Sequence, residues 1–323
     1  MSLCHKEKLI RVSHKSLPVD KTLGYSVFKA TKGNYYQEVI KSNSICDEKI
    51  IEILENEKID YVYIKHDDFE KYSKNINKYL SDIINDEEET SLNKSAVMHR
   101  LARDTMYDLL DGQITKVKIN EVSQTIDSTV EFILKDPNAV RSMLEVTTHD
   151  YYTYTHSVDV STYALTFGSH LGLSETQLKK LGKGAMLHDL GKKRIPSEII
   201  NKNGKLTDEE FDMMKNHPSF GVDILKEMGE DDEILFSIVE QHHEKLNGKG
   251  YPKALGKDEI HPFAQIVTIC DIFNALTTKR SYKPAMSTFE AFEIMNKYME
   301  EEINLKYFNE FVKFMGKNNI SNF

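Results

Sequence analysis

The spacing of apolar residues divides the chain. Up to about residue 65 they come mainly in short aromatic and β-branched runs. Gly24-Tyr25-Ser26-Val27-Phe28-Lys29 and Tyr35-Tyr36-Gln37-Glu38-Val39-Ile40 read as strands, with Gly33-Asn34 as the turn signal between them. Asp47 is placed to cap a helix carrying Ile50, Ile53 and Leu54. Ile59 to Ile64 alternates apolar and polar positions, as a half-buried strand does, and residues 67 to 84 return to a helical pattern. Residues 1–85 are therefore expected to form a small α/β module. It carries no recognisable chemistry, so a structural or dimer-forming role and a sensory or partner-binding role both stay open.

Asp86-Glu87-Glu88-Glu89-Thr90 is an acidic hinge, and helical spacing dominates after it. Val97, Met98, Leu101, Thr105 and Leu109 lie on one stripe; Ile119, Val122, Ile126, Val130 and Ile133 lie on a second. Asp136-Pro137 breaks the pattern before a third helix. Residues 86–149 read as a helical connector that packs on the C-terminal domain, with a signalling or dimerisation stalk as the alternative. Capping boxes at Ser174 and Thr207 open two later helices, the second expected to end at His217-Pro218. Residues 231 to 243 form a helix ending in a His pair, Gly248, Gly250 and Pro252 make a loop, and residues 263 to 277 are helical again. Phe308, Phe311 and Phe314 read as packing near the C-terminus. The expected fold class is mainly α: an all-α domain over 150–323 behind the α/β module and the connector.

Charge and composition narrow the partners. A length of 323 residues favours two domains, and a net charge of −9 argues against a broad nucleic-acid surface, so DNA is not expected. Cys4, Cys46 and Cys270 are odd in number and widely spaced, which is neither a disulfide framework nor a zinc pattern. No stretch approaches the ~18 apolar residues of a membrane span. Met1-Ser2-Leu3-Cys4-His5-Lys6 carries no secretory pattern, and the expected location is the cytoplasm.

Candidate chemistry centres on His188-Asp189-Leu190-Gly191-Lys192. An imidazole binds one transition metal, and a carboxylate has two oxygens and can bridge to a second. Lys192, four residues after His188, lies one turn along if the helix continues, where it can neutralise an anionic substrate. His156 precedes this pair, and His217, His242, His243 and Asp271 follow it near the ends of helix-like stretches. A helical domain can bring them together.

His188-Asp189, then His242-His243-Glu244-Lys245-Leu246-Asn247-Gly248-Lys249-Gly250-Tyr251-Pro252, then Asp271-Ile272-Phe273-Asn274-Ala275-Leu276-Thr277 resemble the HD-GYP phosphodiesterase family, which hydrolyses cyclic di-GMP. The resemblance covers about residues 150 to 316. It implies an HD-type helical domain holding two divalent transition-metal ions. One would take His156, His188, Asp189 and Asp271; the other would share Asp189 and take His217, His242 and His243. Nitrogen and carboxylate donors without thiolate favour Fe or Mn. Phosphodiester hydrolysis draws both an activated water and charge stabilisation from such a pair. The resemblance also implies that Arg280 and Lys283 contact substrate phosphates. Tyr251 is expected to hydrogen-bond a phosphate or pack a base, and Lys192 to steady the phosphate or protonate the leaving oxygen. Asp189 and Lys192 are thus the catalytic candidates, and Lys192, Tyr251, Arg280 and Lys283 the substrate contacts.

The chain departs from the family pattern at Asn247, Gln265, Asn274 and Ser281, where Asp, Arg, Asp and Pro are usual. One consequence is that a charged Arg–Asp pair becomes a neutral amide pair. Tyr152 stands where some relatives carry a glutamate for a third metal, so a binuclear site and a linear pGpG product are expected, with GMP as a possible further product. Three alternatives stay open: another cyclic dinucleotide as substrate, a low-turnover protein that signals by binding, and contact with diguanylate cyclase (GGDEF) domains through Gly250-Tyr251-Pro252. A homodimer is compatible with each.

Overall fold

Hairpin-length strands dominate the first 65 residues of the computed structural model, which describes residues 9–31, 35–59, 61–147, 153–202, 204–279 and 285–318. The expected turn at Gly33-Asn34, together with Tyr152, Arg280, Ser281 and Lys283, lies outside the described residues. The chain forms two compact units that meet between Thr90 and Ser91.

In the first unit β1 (Leu9–Ser13), β2 (Thr22–Leu23), β3 (Val27–Ala30), β4 (Tyr36–Ile40), β5 (Ser44–Ile45), α1 (Glu48–Asn56), β6 (Tyr61–Lys65) and α2 (Phe69–Ile84) follow in order. β1, β6, β3 and β4 make one antiparallel sheet in that spatial order, and β2 pairs with β5. Val62 and Ile64 of β6 are fully buried while Tyr61 and Tyr63 are partly exposed, the period-two pattern read from the sequence. The Asp47 side chain accepts from the Lys49 amide and so caps α1. Residue 59 belongs to the end of α1 and not to the strand. Lys58 is left-handed at φ 57°, and the Ile59 amide reaches back 2.9 Å to the Leu54 carbonyl, satisfying an orphan acceptor of the helix end.

The second unit begins with α3 (Ser91–Asp111), α4 (Lys116–Lys135) and α5 (Ala139–Glu145). α6 (Thr153–His170) and α7 (Glu175–Leu187) follow, then a 3-10 segment at Leu190–Arg194. α8 (Ser197–Ile200), α9 (Asp208–Met214), α10 (His217–Glu227), α11 (Glu233–Gln241), α12 (Pro262–Thr277), α13 (Thr288–Tyr298) and α14 (Leu305–Lys317) complete it. α6 is the axis, buried on every side from residue 155 to 168. Its many hydroxyls are tolerated there because they bond backbone carbonyls, as Thr162 does to Val158 and Ser161 to Gly182 of α7. Phe167, Phe273, Phe311 and Phe314 join α6, α12 and α14 in one apolar core. α3 is tied to α6 by a buried bond of 2.7 Å between His99 and Asp159.

One boundary differs from expectation. The helix capped at Thr207 stops at Met214, and His217 opens the next helix instead of closing that one. Pro218, with no amide hydrogen and a preset φ, is suited to a first turn and not to a last one.

Candidate metal centre

Three histidines stand just past helix ends. His188 caps α7, His217 follows the end of α9, and His242 caps α11. Helix ends leave carbonyls without partners. Each ring takes one of them: His188 Nδ1 lies 2.6 Å from Ala185 O, His217 Nδ1 2.8 Å from Met214 O, and His242 Nδ1 2.8 Å from Val239 O. A carbonyl only accepts, so each Nδ1 carries the proton and each Nε2 keeps a lone pair. His156, in the first turn of α6, donates from Nδ1 to the Asn274 amide oxygen at 2.7 Å.

The four Nε2 atoms converge on Asp189. His188 and His156 lie 3.5 and 3.9 Å from its Oδ2, while His217 and His242 lie 3.3 and 4.0 Å from its Oδ1. One carboxylate thus turns one oxygen to each of two imidazole pairs. Asp271, in the middle of α12, places Oδ1 3.0 Å from His156 Nε2. His243 lies beside His217 and His242, with ring centroids at 5.1 and 4.2 Å. Two donor groups result, His156-His188-Asp189 and Asp189-His217-His242-His243, with Asp189 common to both.

Burial drives the electrostatics. It lowers His188, and with the neighbouring imidazoles it lowers His242 further. His243 is pushed down to about 3, first by burial. Burial alone would raise Asp189, but Lys192, His188 and His217 hold it well below the usual carboxylate range. Asp271 is likewise held low against its burial, chiefly by His156. At neutral pH these three imidazoles are uncharged and both carboxylates ionised, the state metal ligation requires.

The donors fit a cation for a further reason. His217 Nε2 and His242 Nε2 lie 3.3 Å apart, two ring nitrogens turned to the same point. His188 Nε2 and Asp189 Oδ1 are buried, and among the described residues neither has a hydrogen-bond partner. Divalent cations satisfy all of these atoms together.

Lys192 reaches the site differently from expectation. The α-helix ends at Leu187, and the following 3-10 turn brings Lys192 Nζ to 2.5 Å from Asp189 Oδ2. Gly191 permits that turn, since a Cβ there would sit 1.8 Å from the His217 carbonyl oxygen. Tyr251 is held by a 3.2 Å bond from its amide to the His243 carbonyl, and its ring lies 4.8 Å from that of His243. Arg280 and Lys283 are outside the described residues, so the clamp expected of them has no described geometry.

Three supporting residues had no predicted role. Glu244, 3% exposed, accepts from the Lys253 and Leu255 amides and anchors the loop behind the His pair. Thr268 donates to the His242 carbonyl at 2.8 Å. Asn274, flagged in the sequence as a departure, orients His156. The other amides serve loops and packing: Asn247 accepts from the Lys249 amide, and Gln265 pairs with Asn304 at 2.7 Å. An amide pair therefore exists, but its second member is Asn304.

The chain is similar to several known proteins. Residues 78–304 match the family described as HD domain. The chain is 33% identical to the cyclic di-GMP phosphodiesterase PA4108 of Pseudomonas aeruginosa over 60% of its own length and 47% of that protein. It is 28% identical to a cyclic di-GMP phosphodiesterase of Thermotoga maritima over 72% of this chain and 64% of that one. It is 34% identical to 3'3'-cGAMP-specific phosphodiesterase 3 of Vibrio cholerae over 49% of this chain and 34% of that one. The chain thus spans between about a third and under two thirds of the length of these relatives. A solved HDG"Y"P protein from Bdellovibrio bacteriovorus has the same fold, with a TM-score of 0.69 at 18% identity, covering 95% of this chain and 99% of that one.

Proposed function

Because the chain belongs to the HD domain family and, within it, to the HD-GYP type, we propose that it is a metal-dependent phosphodiesterase that hydrolyses cyclic di-GMP to pGpG. The observation that carries the proposal is Asp189, with one oxygen toward each of two imidazole sets whose outer nitrogens are already committed. In this reading His156, His188, Asp189 and Asp271 hold one divalent ion, and Asp189, His217, His242 and His243 hold the second. Donors without thiolate favour Fe or Mn. When bound, such a pair supplies Lewis acidity toward the phosphoryl oxygens and activates water.

The protein's own groups do the rest. Lys192, positive and next to Asp189, steadies the scissile phosphate or protonates the leaving oxygen. Tyr251 closes one side of the site, its hydroxyl kept protonated by burial. Arg280 and Lys283 help bind the substrate phosphates. Residues 1–85 serve regulation or dimer contact, and residues 86–149 link them to the catalytic domain at 150–323. Docking of a diguanylate cyclase domain on the partly exposed Gly250-Tyr251-Pro252 loop belongs to the same proposal.

Relatives named for 3'3'-cGAMP at 33–34% identity favour one second reading, that the mixed ring is the substrate. The test is turnover of cyclic di-GMP and 3'3'-cGAMP by protein purified without oxygen and loaded with Mn or Fe. Formation of pGpG, lost in Asp189→Ala, is the expected result. Tight nucleotide binding by the fully metallated protein without any turnover would overturn the enzyme reading in favour of a signalling protein.

A further inference from the structure

Next to the metal centre stands a ring that none of the chemistry above uses. Phe211 lies on α9, the short helix that leads to His217, and it is 47% exposed. A lone exposed apolar residue is ordinary on a protein surface. What distinguishes Phe211 is its place in a series of rings leading out of the site. Tyr251 lies 4.8 Å from His243 and 6.4 Å from His217. Phe211 lies 6.2 Å beyond Tyr251, edge to face at 81°. At 47% exposure Phe211 keeps ring surface that a flat ligand can cover. Lys215 Nζ lies over the Phe211 ring, 5.3 Å from its centroid, and is paired with Asp212 at 2.5 Å.

Hydrogen bonds hold the start of the helix that carries Phe211. Thr207 and Glu210 form a capping box at the start of α9, and Lys202 pairs with Glu210 at 2.5 Å. Together these bonds hold a large, half-exposed ring one side chain away from the His243–Tyr251 wall.

We propose that Phe211 is a specificity-determining residue that stacks against a purine base of the substrate. With one phosphate at the histidine cluster, the attached nucleoside extends past Tyr251, and its base covers the open face of Phe211. The proposal rests on the phosphodiesterase reading and deepens it, since it states how the base of a cyclic dinucleotide is held. Every base has a π-face, so this contact selects nucleotides over other phosphodiesters more than one purine over another.

The test uses the full-length, metal-loaded protein and three substitutions. Phe211→Ala and Phe211→Leu should raise KM for cyclic di-GMP by roughly 5- to 150-fold, the range for loss of one base–aromatic stack. Metal content should not change, because Phe211 touches no ligand oxygen or Nε2. Phe211→Trp should keep the low KM. The chain contains no tryptophan, so that variant carries a single indole reporter. In stopped flow its fluorescence should be quenched by cyclic di-GMP before turnover, and ribose 5-phosphate, a phosphate without a base, should leave it unchanged. An unaltered KM in Phe211→Ala, full rescue by Phe211→Leu, or equal quenching by ribose 5-phosphate would each overturn the stacking role. If wild-type protein with a full metal complement turns over neither cyclic dinucleotide, the phosphodiesterase reading itself has failed and the stacking role falls with it. Normal wild-type turnover with an indifferent Phe211→Ala removes only the stacking role.

Discussion

Asn274 offers the sharpest test of how this centre is built. It is 1% exposed, and its amide oxygen accepts the Nδ1 proton of His156 at 2.7 Å. The opposite nitrogen of the same ring lies 3.0 Å from Asp271 Oδ1. His156 is thus placed between two acceptors, and its tautomer depends on which acceptor takes the proton. Asn274→Leu keeps the approximate volume and removes the outer acceptor. The proton is then drawn to Nε2, toward Asp271, where it occupies the lone pair a metal needs. An unsatisfied buried donor costs about 1–3 kcal/mol, and loss of an outer partner to a ligating histidine typically weakens metal binding about 10- to 100-fold. Metal affinity should therefore fall by that factor. The loss should be confined to the ion held by His156, because His217 and His242 take their tautomers from helix carbonyls. Asn274→Asp makes the bond charge-assisted and should tighten the same ion. Calorimetric titration of the metal-free variants with Mn resolves the two sites. Equal loss at both sites, or no change in Asn274→Leu, would refute the argument that Asn274 sets the His156 tautomer.

Asp189→Ala removes the oxygen that each donor group needs, so elemental analysis should find both ions depleted; full occupancy of either sinks the bridging assignment. Gly191→Ala puts a Cβ 1.8 Å from a backbone oxygen that cannot move independently, so urea unfolding should show a loss on the order of 3 kcal/mol or more together with reduced metal content. Glu121 is raised from 4.5 to about 8 by burial and by Asp108, so the folded state keeps a proton that the unfolded chain has lost across that window. Stability attributable to it therefore falls as pH rises from about 4.5 to about 8, and Glu121→Gln should raise Tm clearly at about pH 9 and little at about pH 5; a pH-independent difference would refute this.

Residues whose surroundings are local in sequence were the most readable. The Asp47 cap, the boxes at Ser174 and Thr207 and the alternation in β6 each involve partners within a few positions, and each appears in the structure. The His and Asp candidates stand out by residue type and order; five histidines gather within a few ångströms of Asp189, and Asp271 lies 3.0 Å from His156. What escaped depends on long-range contact. α6 buries Thr155, Ser157, Asp159, Ser161 and Thr166 among apolar residues, so no stripe of one polarity marks its faces. Gly191 looks dispensable until α10 is seen to pass within contact of it. Asn274 is separated by 118 positions from the histidine it orients, and nothing near it in the chain announces that role. Lys192 was placed on a helix because the pattern gave no sign that α7 stops at Leu187.

Helix ends of this kind explain how the chain itself orients the donor rings. A helix stops with unpaired carbonyls and the negative pole of its dipole. At the ends of α7, α9 and α11 a histidine three residues on takes one such carbonyl. The bond satisfies the helix, orients the ring and leaves its inner nitrogen unprotonated. The ends of α7, α9 and α11 meet the starts of α6 and α10 here, so the helix poles largely offset one another, and the two buried carboxylates set the sign of the charge. Such a point attracts cations and repels phosphate. On the proposed reading an anionic substrate would be held once the cluster has taken up metal, so metal binding would precede substrate binding. Phosphate binding by the metal-free protein should accordingly be weak even with Lys192 in place, because that lysine is already neutralised by Asp189 at 2.5 Å.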